Sequence, residues 1–152
     1  MTCWLFKSEP DTYGIDDLAR DKVEPWTGIR NYQVRNMIRD DMRVGDEVIF
    51  YHSSCKVPGA AGIARICREA YPDPLQFDPM SPYFDTGSDK ANPRWLTIDI
   101  EFVRKFDRVV TLEELKGHPE LGDFRLNQRG NRLSIFPVTR EQQDVILRLE
   151  RT

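Results

Sequence analysis

The segment Trp26–Asn36, WTGIRNYQVRN, concentrates the side chains best suited to holding a planar polar ligand. Indole and phenol rings give faces on which a base can stack, arginine and asparagine give directional donors, and glycine permits close backbone approach. Stacking of a single base contributes about 1–3 kcal/mol, so two aromatic walls can hold a nucleobase without a broad basic surface. The alternative reading makes Trp26 and Tyr32 ordinary core residues. A second group, Lys7-Ser8-Glu9, precedes Pro10. A buried lysine and carboxylate this close can transfer protons, whereas an exposed pair would only fix a turn. A third, His52-Ser53-Ser54-Cys55, sets a base beside nucleophiles. Neighbours along an extended strand point to opposite faces, so a strand-end histidine bonded to backbone is the simpler reading.

No GxGxxG, Walker, GxSxG or HExxH pattern occurs, so nucleotide-cofactor, lipase-like and zinc-protease chemistries lose their sequence support. Three cysteines, Cys3, Cys55 and Cys67, lack CxxC spacing, and the two histidines, His52 and His118, are far apart. This argues against a metal site and against a disulfide framework, and no cofactor is expected.

The elements that must position these groups are short. CWLFK at 3–7 reads as a strand, and Ile15 to Asp21 as a helix with Asp16 and Asp17 at its favourable end. Asn31 can cap a second helix that turns Val34, Met37, Ile38 and Met42 inward and ends by Gly45. Val48 to Tyr51 is unbroken apolar sequence and predicts a strand buried on both faces. Gly59 to Cys67 predicts a strand with close backbone approach, and the alternation of Leu96, Ile98, Ile100 and Phe102 predicts a half-buried one. Between them, residues 71–93 hold Pro72, Pro74, Pro79, Pro82 and Pro93 together with Tyr71, Phe77, Tyr83 and Phe84. Long aromatic loops in compact domains are disproportionately functional. Thr111 with Glu114 predicts a capping box and a helix, Leu133 to Val138 a strand, and Thr139 with Gln142 a final helix burying Val145, Ile146 and Leu149. The pattern is that of a single α+β domain over residues 1–152, with a small mixed or barrel-like sheet.

At 152 residues, 39% hydrophobic and 31% charged, the chain can bury one core without staples. No apolar run approaches the roughly 18 residues of a membrane span and no leader is legible, so the expected setting is the cytosol. Net charge is −3, which excludes a protein that coats nucleic acid over a broad basic face. Yet residues 26–39 carry Arg30, Arg35 and Arg39 without an acid, and residues 124–140 carry Arg125, Arg129, Arg132 and Arg140 without one. If the two stretches meet they form a basic site on an acidic body; otherwise they are ordinary solvated faces.

WLFKSEPDTYGIDDL, WTGIRNYQVRNMIR, GDEVIFYHSS, PGAAGIARI, AYPDP, PRWLTIDI and LNQRGNRLSIFPVT, in this order, resemble the EVE domain of the thymocyte nuclear protein family and its bacterial relatives. The match spans essentially the whole chain. It implies a PUA-like fold, a small, mostly antiparallel β-barrel with flanking helices, related to the YTH domains. It also implies binding of a modified base, in DNA, RNA or a modified nucleotide, within a pocket. Carried over by motif, the resemblance places Lys7, Ser8 and Glu9 at the end of the first strand, and Trp26, Gly28, Arg30, Asn31 and Tyr32 along one wall. His52 and Ser53 come from the FYHSS strand end, Pro58 and Gly59 from the following turn, Trp95 from PRW, and Arg132 and Ser134 from NRLS. It further implies that the two arginine stretches converge on this pocket. Ser54 and Ile29 stand where members often carry Asn and Val.

The favoured reading is a non-catalytic reader in which Trp26, Tyr32 or Trp95 stack on the base, Asn31, Ser8 and Ser53 bond its edge, and Arg30 and Arg132 hold the adjoining phosphate. The rival is a small hydrolase of acylated nucleosides, which ASCH-type relatives of the fold resemble, using Lys7 with Glu9. A protein-interaction module is a third class.

Overall fold

The computed structural model describes residues 1–127 and 133–152. Six strands form one mixed sheet: β1 (Cys3–Ser8), β2 (Val23–Pro25), β3 (Glu47–His52), β4 (Gly59–Pro72), β5 (Leu96–Thr111) and β6 (Ile135–Val138), in the spatial order β2-β5-β4-β3-β1-β6. Only β1 and β3 run parallel, with Phe6 opposite Phe50 and Ser8 opposite His52. The other pairs are antiparallel. Among the described residues five α-helices decorate the sheet: α1 (Pro10–Tyr13), α2 (Ile15–Asp21), α3 (Tyr32–Asp40), α4 (Leu112–Gly117) and α5 (Arg140–Glu150).

Period-two alternation along β1 explains the layering. Trp4 and Phe6 enter a core with Phe50, Ile98, Ile100 and the inner faces of α2 and α3, including Leu18, Val34 and Ile38. Cys3 and Leu5 enter the opposite core with Ile49, Phe106, Phe136, Leu115 from α4 and Val145 and Ile146 from α5. Burial pushes the Cys3 thiol up to about 12, with Glu47 and Asp46 adding to it, so it is an inert packing residue. Val48 to Tyr51 is buried on both faces, as its apolar run predicts, because β3 lies inside the sheet.

The helix caps follow the sequence closely. The Asn31 side chain accepts from the Val34 N–H at 3.0 Å, and Thr111–Glu114 and Thr139–Gln142 both form capping boxes. Two elements lie beyond the sequence reading, the single turn α1 and the three-residue strand β2, both too short to carry a period. The strands β4 and β5 run further than expected, and Thr97 is buried alongside Ile98, breaking the strict alternation.

The expected closed barrel is not what the described strands form. They make an open sheet in which β2 and β6 are the two edges, with no pairing between them. Each face already has its own apolar cluster and helices, so closure is not needed to bury either one. Both edge strands are short, which limits the unpaired backbone they present. Curvature comes instead from repeated register shifts along β4 and β5. Among the described residues no helix is long and apolar enough to cross a membrane.

Candidate nucleic-acid interface

Beyond the end of β1 the chain leaves a cavity of about 440 Å³. Lys7, Ser8 and Glu9 border it on one side and Glu24, Pro25, Trp26 and Thr27 on another, with Thr12 and Tyr13 of α1 and Tyr83 of the proline-rich loop completing it. Four residues singled out from the sequence, Lys7, Ser8, Glu9 and Trp26, therefore meet here.

Trp26 is both of the things its sequence context left open. Its ring packs on Phe6 at 5.7 Å, on Tyr13 at 6.1 Å and on Phe50 at 5.8 Å between centroids, and it remains half-buried where it borders the cavity. Three ring contacts of different inclination fix the indole, so its free surface is preorganised. The Trp26 N–H donates to the Ile98 carbonyl at 2.8 Å, which ties the segment to the sheet.

Tyr83 arrives from 57 residues further along the chain. Gly28, at φ +88°, lies beneath it, and a Cβ there would come within 2.9 Å of the phenol ring. Asp73 holds the two segments together. Its fully buried carboxylate accepts the Gly28 N–H at 2.8 Å, the Leu75 N–H at 2.8 Å and the Arg30 guanidinium at 3.0 Å. Arg30 also donates to the Tyr83 carbonyl at 2.7 Å. It lies between the Tyr83 and Trp95 rings, 5.4 Å from each centroid.

That arrangement reassigns several residues expected to touch ligand. Arg30 is bonded to Asp73 and to the Ile29 and Tyr83 carbonyls, contacts that tie the loop down and point the guanidinium at protein groups. Trp95 is 6% exposed, covered by Tyr32 at 4.8 Å and by Arg30, and its indole N–H donates to Asp85 at 2.7 Å, so it offers no face to a base. Tyr32 is 52% exposed but belongs to a different groove, with Arg35, Arg39 and Arg94. Asn31 is the α3 cap.

The remaining assignments scatter. His52 turns away from the nucleophile role: its Nε2 accepts the Ile15 N–H at 3.0 Å, closing the start of α2. Ser53 sits beside Ser8, whose carbonyl accepts its N–H at 2.9 Å, and the exposed Ser134 accepts the Lys7 N–H at 2.8 Å. Both lie at the cavity end of β1 without bordering the cavity. Pro58 lines a separate groove with Val57 and Leu112. Gly59 is opposite His52 and Thr111, and a Cβ there would come within 2.3 Å of the Val110 carbonyl, so it serves strand packing. Arg132, like Arg129, lies outside the described residues. Of the second arginine stretch, Arg140 lies by Met1, Cys3 and Val138, at the opposite end of β1 from the cavity. Arg140 thus does not share a pocket with Arg30, Arg35 or Arg39.

The lysine and carboxylate of the rival hydrolase reading are not assembled as a pair. The Lys7 ammonium lies 6.0 Å from the Phe136 ring centroid, and burial lowers its pKa. Glu9 instead occupies the exposed cap position of α1. Among the described residues no group of three or more His, Cys, Asp or Glu side chains could hold a metal ion.

His52 gives a pH signature to the scaffold under the cavity. Burial, and after it Lys105, lowers the imidazole pKa from 6.5, while Asp16 and Asp17 oppose the shift. The folded protein therefore binds this proton more weakly than the unfolded chain does, and the stabilisation is complete only above the unfolded value. Melting temperature should fall as pH drops through about 6.5 toward the lower folded value. His52→Gln, whose amide oxygen can take the Ile15 N–H without titrating, should flatten that part of the profile in thermal melts; an unchanged profile would remove His52 as its source.

Comparison with known proteins accounts for this architecture. The EVE domain family model matches residues 2–149. Thymocyte nuclear protein 1 of Gallus gallus is 42% identical, over 97% of this chain and 68% of its own, and the Homo sapiens protein is 41% identical over 97% and 73%. A crystal structure from Pseudomonas putida superposes with a TM-score of 0.93 at 50% identity, covering 97% of this chain and 99% of the other. Human THYN1 protein, solved in complex with 5-methylcytosine-containing DNA, superposes with a TM-score of 0.93 at 40% identity, covering 100% and 99%. At the level of fold alone, an ASCH protein from Zymomonas mobilis superposes with a TM-score of 0.55 at 13% identity. With a family match over almost its whole length and a shared fold at these identities, this chain belongs to the EVE domain family.

Proposed function

We propose that the protein is a reader of modified DNA bases that takes a base of the 5-methylcytosine class, turned out of its stack, into the cavity between Trp26 and Tyr83. The observation that carries this reading is the cavity itself. It is walled by a fixed indole and a phenol in a fold shared with human THYN1, whose structure holds 5-methylcytosine-containing DNA. An inserted base read by stacking and edge hydrogen bonds needs few phosphate contacts, which suits a chain of net charge −3. Lys7 and Glu9 border the same cavity without an ion pair between them, which favours binding over hydrolysis by that pair. We extend the proposal to unpaired modified bases in RNA, to a cytosolic setting suited to three unpaired thiols, and to a PUA-like ancestry in which the curled β4–β5 pair stands for the barrel wall.

Tryptophan fluorescence tests it directly. Trp4 and Trp95 are buried, so quenching by a stacked base reports on Trp26. Duplexes carrying 5-methylcytosine should quench more strongly than the same duplexes carrying cytosine. Equal or absent quenching would sink the assignment.

A further inference from the structure

A methyl group at the 5 position does not identify 5-methylcytosine, because thymine carries the same methyl in the same place. The two rings differ at position 4, where cytosine presents an amino donor and thymine a carbonyl acceptor. A cavity shaped only for a methylated pyrimidine would take both. We propose that Glu24 makes the distinction, its carboxylate accepting the exocyclic amino group of the inserted cytosine ring. This rests on the reader assignment above and names how that site chooses its base.

Few groups at the cavity are free to accept an amino hydrogen bond strongly. Lys7 is a donor only; the Ser8 and Tyr13 hydroxyls donate to the Tyr13 carbonyl and to Asp21, and they, like the Thr12 and Thr27 hydroxyls, offer only neutral oxygens, which accept more weakly than a carboxylate. Glu9 borders the cavity but is exposed, where water satisfies it. Glu24 is half-buried on the edge strand β2, where pairing with β5 sets its backbone opposite Ile100.

The other carboxylates around it are already partnered. Asp21 is bonded by Tyr13 and by Arg20, and Asp99 by the Tyr71 hydroxyl. The Glu24 carboxylate makes no hydrogen bond or ion pair among the described residues. Burial, and after it the charge of Asp21, pushes its pKa up, with Asp99 adding to the rise and Arg20 opposing it. A half-buried carboxylate without a donor is costly, and an arriving amino group removes that cost. A thymine carbonyl would face the carboxylate as a second acceptor, and a phosphate would face it as a like charge. An amino-bearing base edge is therefore the occupant that fits this corner.

The test uses the whole chain and DNA duplexes with one variable position, 5-methylcytosine or thymine, set opposite an abasic site so that unpairing costs the same for both. The native protein should bind the 5-methylcytosine duplex at least about tenfold more tightly than the thymine duplex, the scale of one good base-edge contact. Glu24→Gln should bring the two within about threefold, since a side-chain amide can serve either ring. Trp26→Phe should lower affinity for both and keep their ratio. Retention of the full preference in Glu24→Gln would overturn the assignment while leaving the reader function intact. Equal binding of both duplexes by the native protein would overturn it as well. Binding of neither would overturn the reader assignment and this inference together.

Discussion

Trp26→Ala should weaken binding of 5-methylcytosine DNA by about ten- to a hundredfold, the loss expected when one base loses its stacking platform. The indole also closes the core against Phe6 and Phe50, so the same change removes packing. Full burial of a tryptophan would put that cost at about 3–5 kcal/mol; for a half-buried ring about 2–3 kcal/mol is expected. The two effects separate experimentally. Trp26→Phe keeps an aromatic platform and most of the packing, so it should lie between native and alanine in affinity and near native in stability. Anisotropy of a labelled duplex, read alongside denaturant unfolding of both variants, checks this. A folded alanine variant with native affinity would show that the base stacks elsewhere.

Asp73→Ala should be the most destabilising single change around the site, by about 3–5 kcal/mol, the scale for removing one partner of a buried ion pair. The carboxylate is fully buried and serves three donors, Gly28 N–H, Leu75 N–H and the Arg30 guanidinium, which would all lose it together. Function should fall with stability, because Asp73 is what brings the Tyr83 loop against the Gly28 backbone. Asp73→Asn retains an oxygen for one or two of the donors and loses the charge facing Arg30, so a smaller loss is expected. Urea unfolding gives the stability, and DNA binding measured well below each variant's melting temperature gives the second effect. Native stability in Asp73→Ala would mean that the loop is held by other contacts.

Much of the scaffold was legible in the sequence because its signals are local. Asn31, Thr111 and Thr139 announce helix starts through side chains that bond backbone only three residues away. The run Val48 to Tyr51 announces an interior strand because only a strand covered on both faces can bury every residue. The open sheet was not legible, since whether β2 meets β6 depends on how each face is covered, and that is a property of packed layers.

The site divides in the same way. Trp26 and the Lys7–Glu9 segment stand out by residue type, whereas Glu24 lies just outside the acid-free stretch that starts at Trp26 and carries no signal of its own. Tyr83 carried a weak signal, an aromatic in a proline-rich loop, without any indication of what it faces. Trp95 and Arg30 looked like ligand contacts by type, and only the structure shows them used up by Asp85, Asp73 and the Tyr83 carbonyl.

By itself the sequence determined the family, the caps, the central apolar strands and the aromatic and polar inventory from which a base site can be built. The family follows from the resemblance of its motifs, the rest from composition and from interactions spanning a few residues. The tertiary structure decided which members of that inventory face a shared cavity and which are spent on one another. A buried carboxylate such as Asp73 draws donors from wherever the chain brings them, and no spacing along the sequence reveals that Gly28 and Arg30 are the ones it meets.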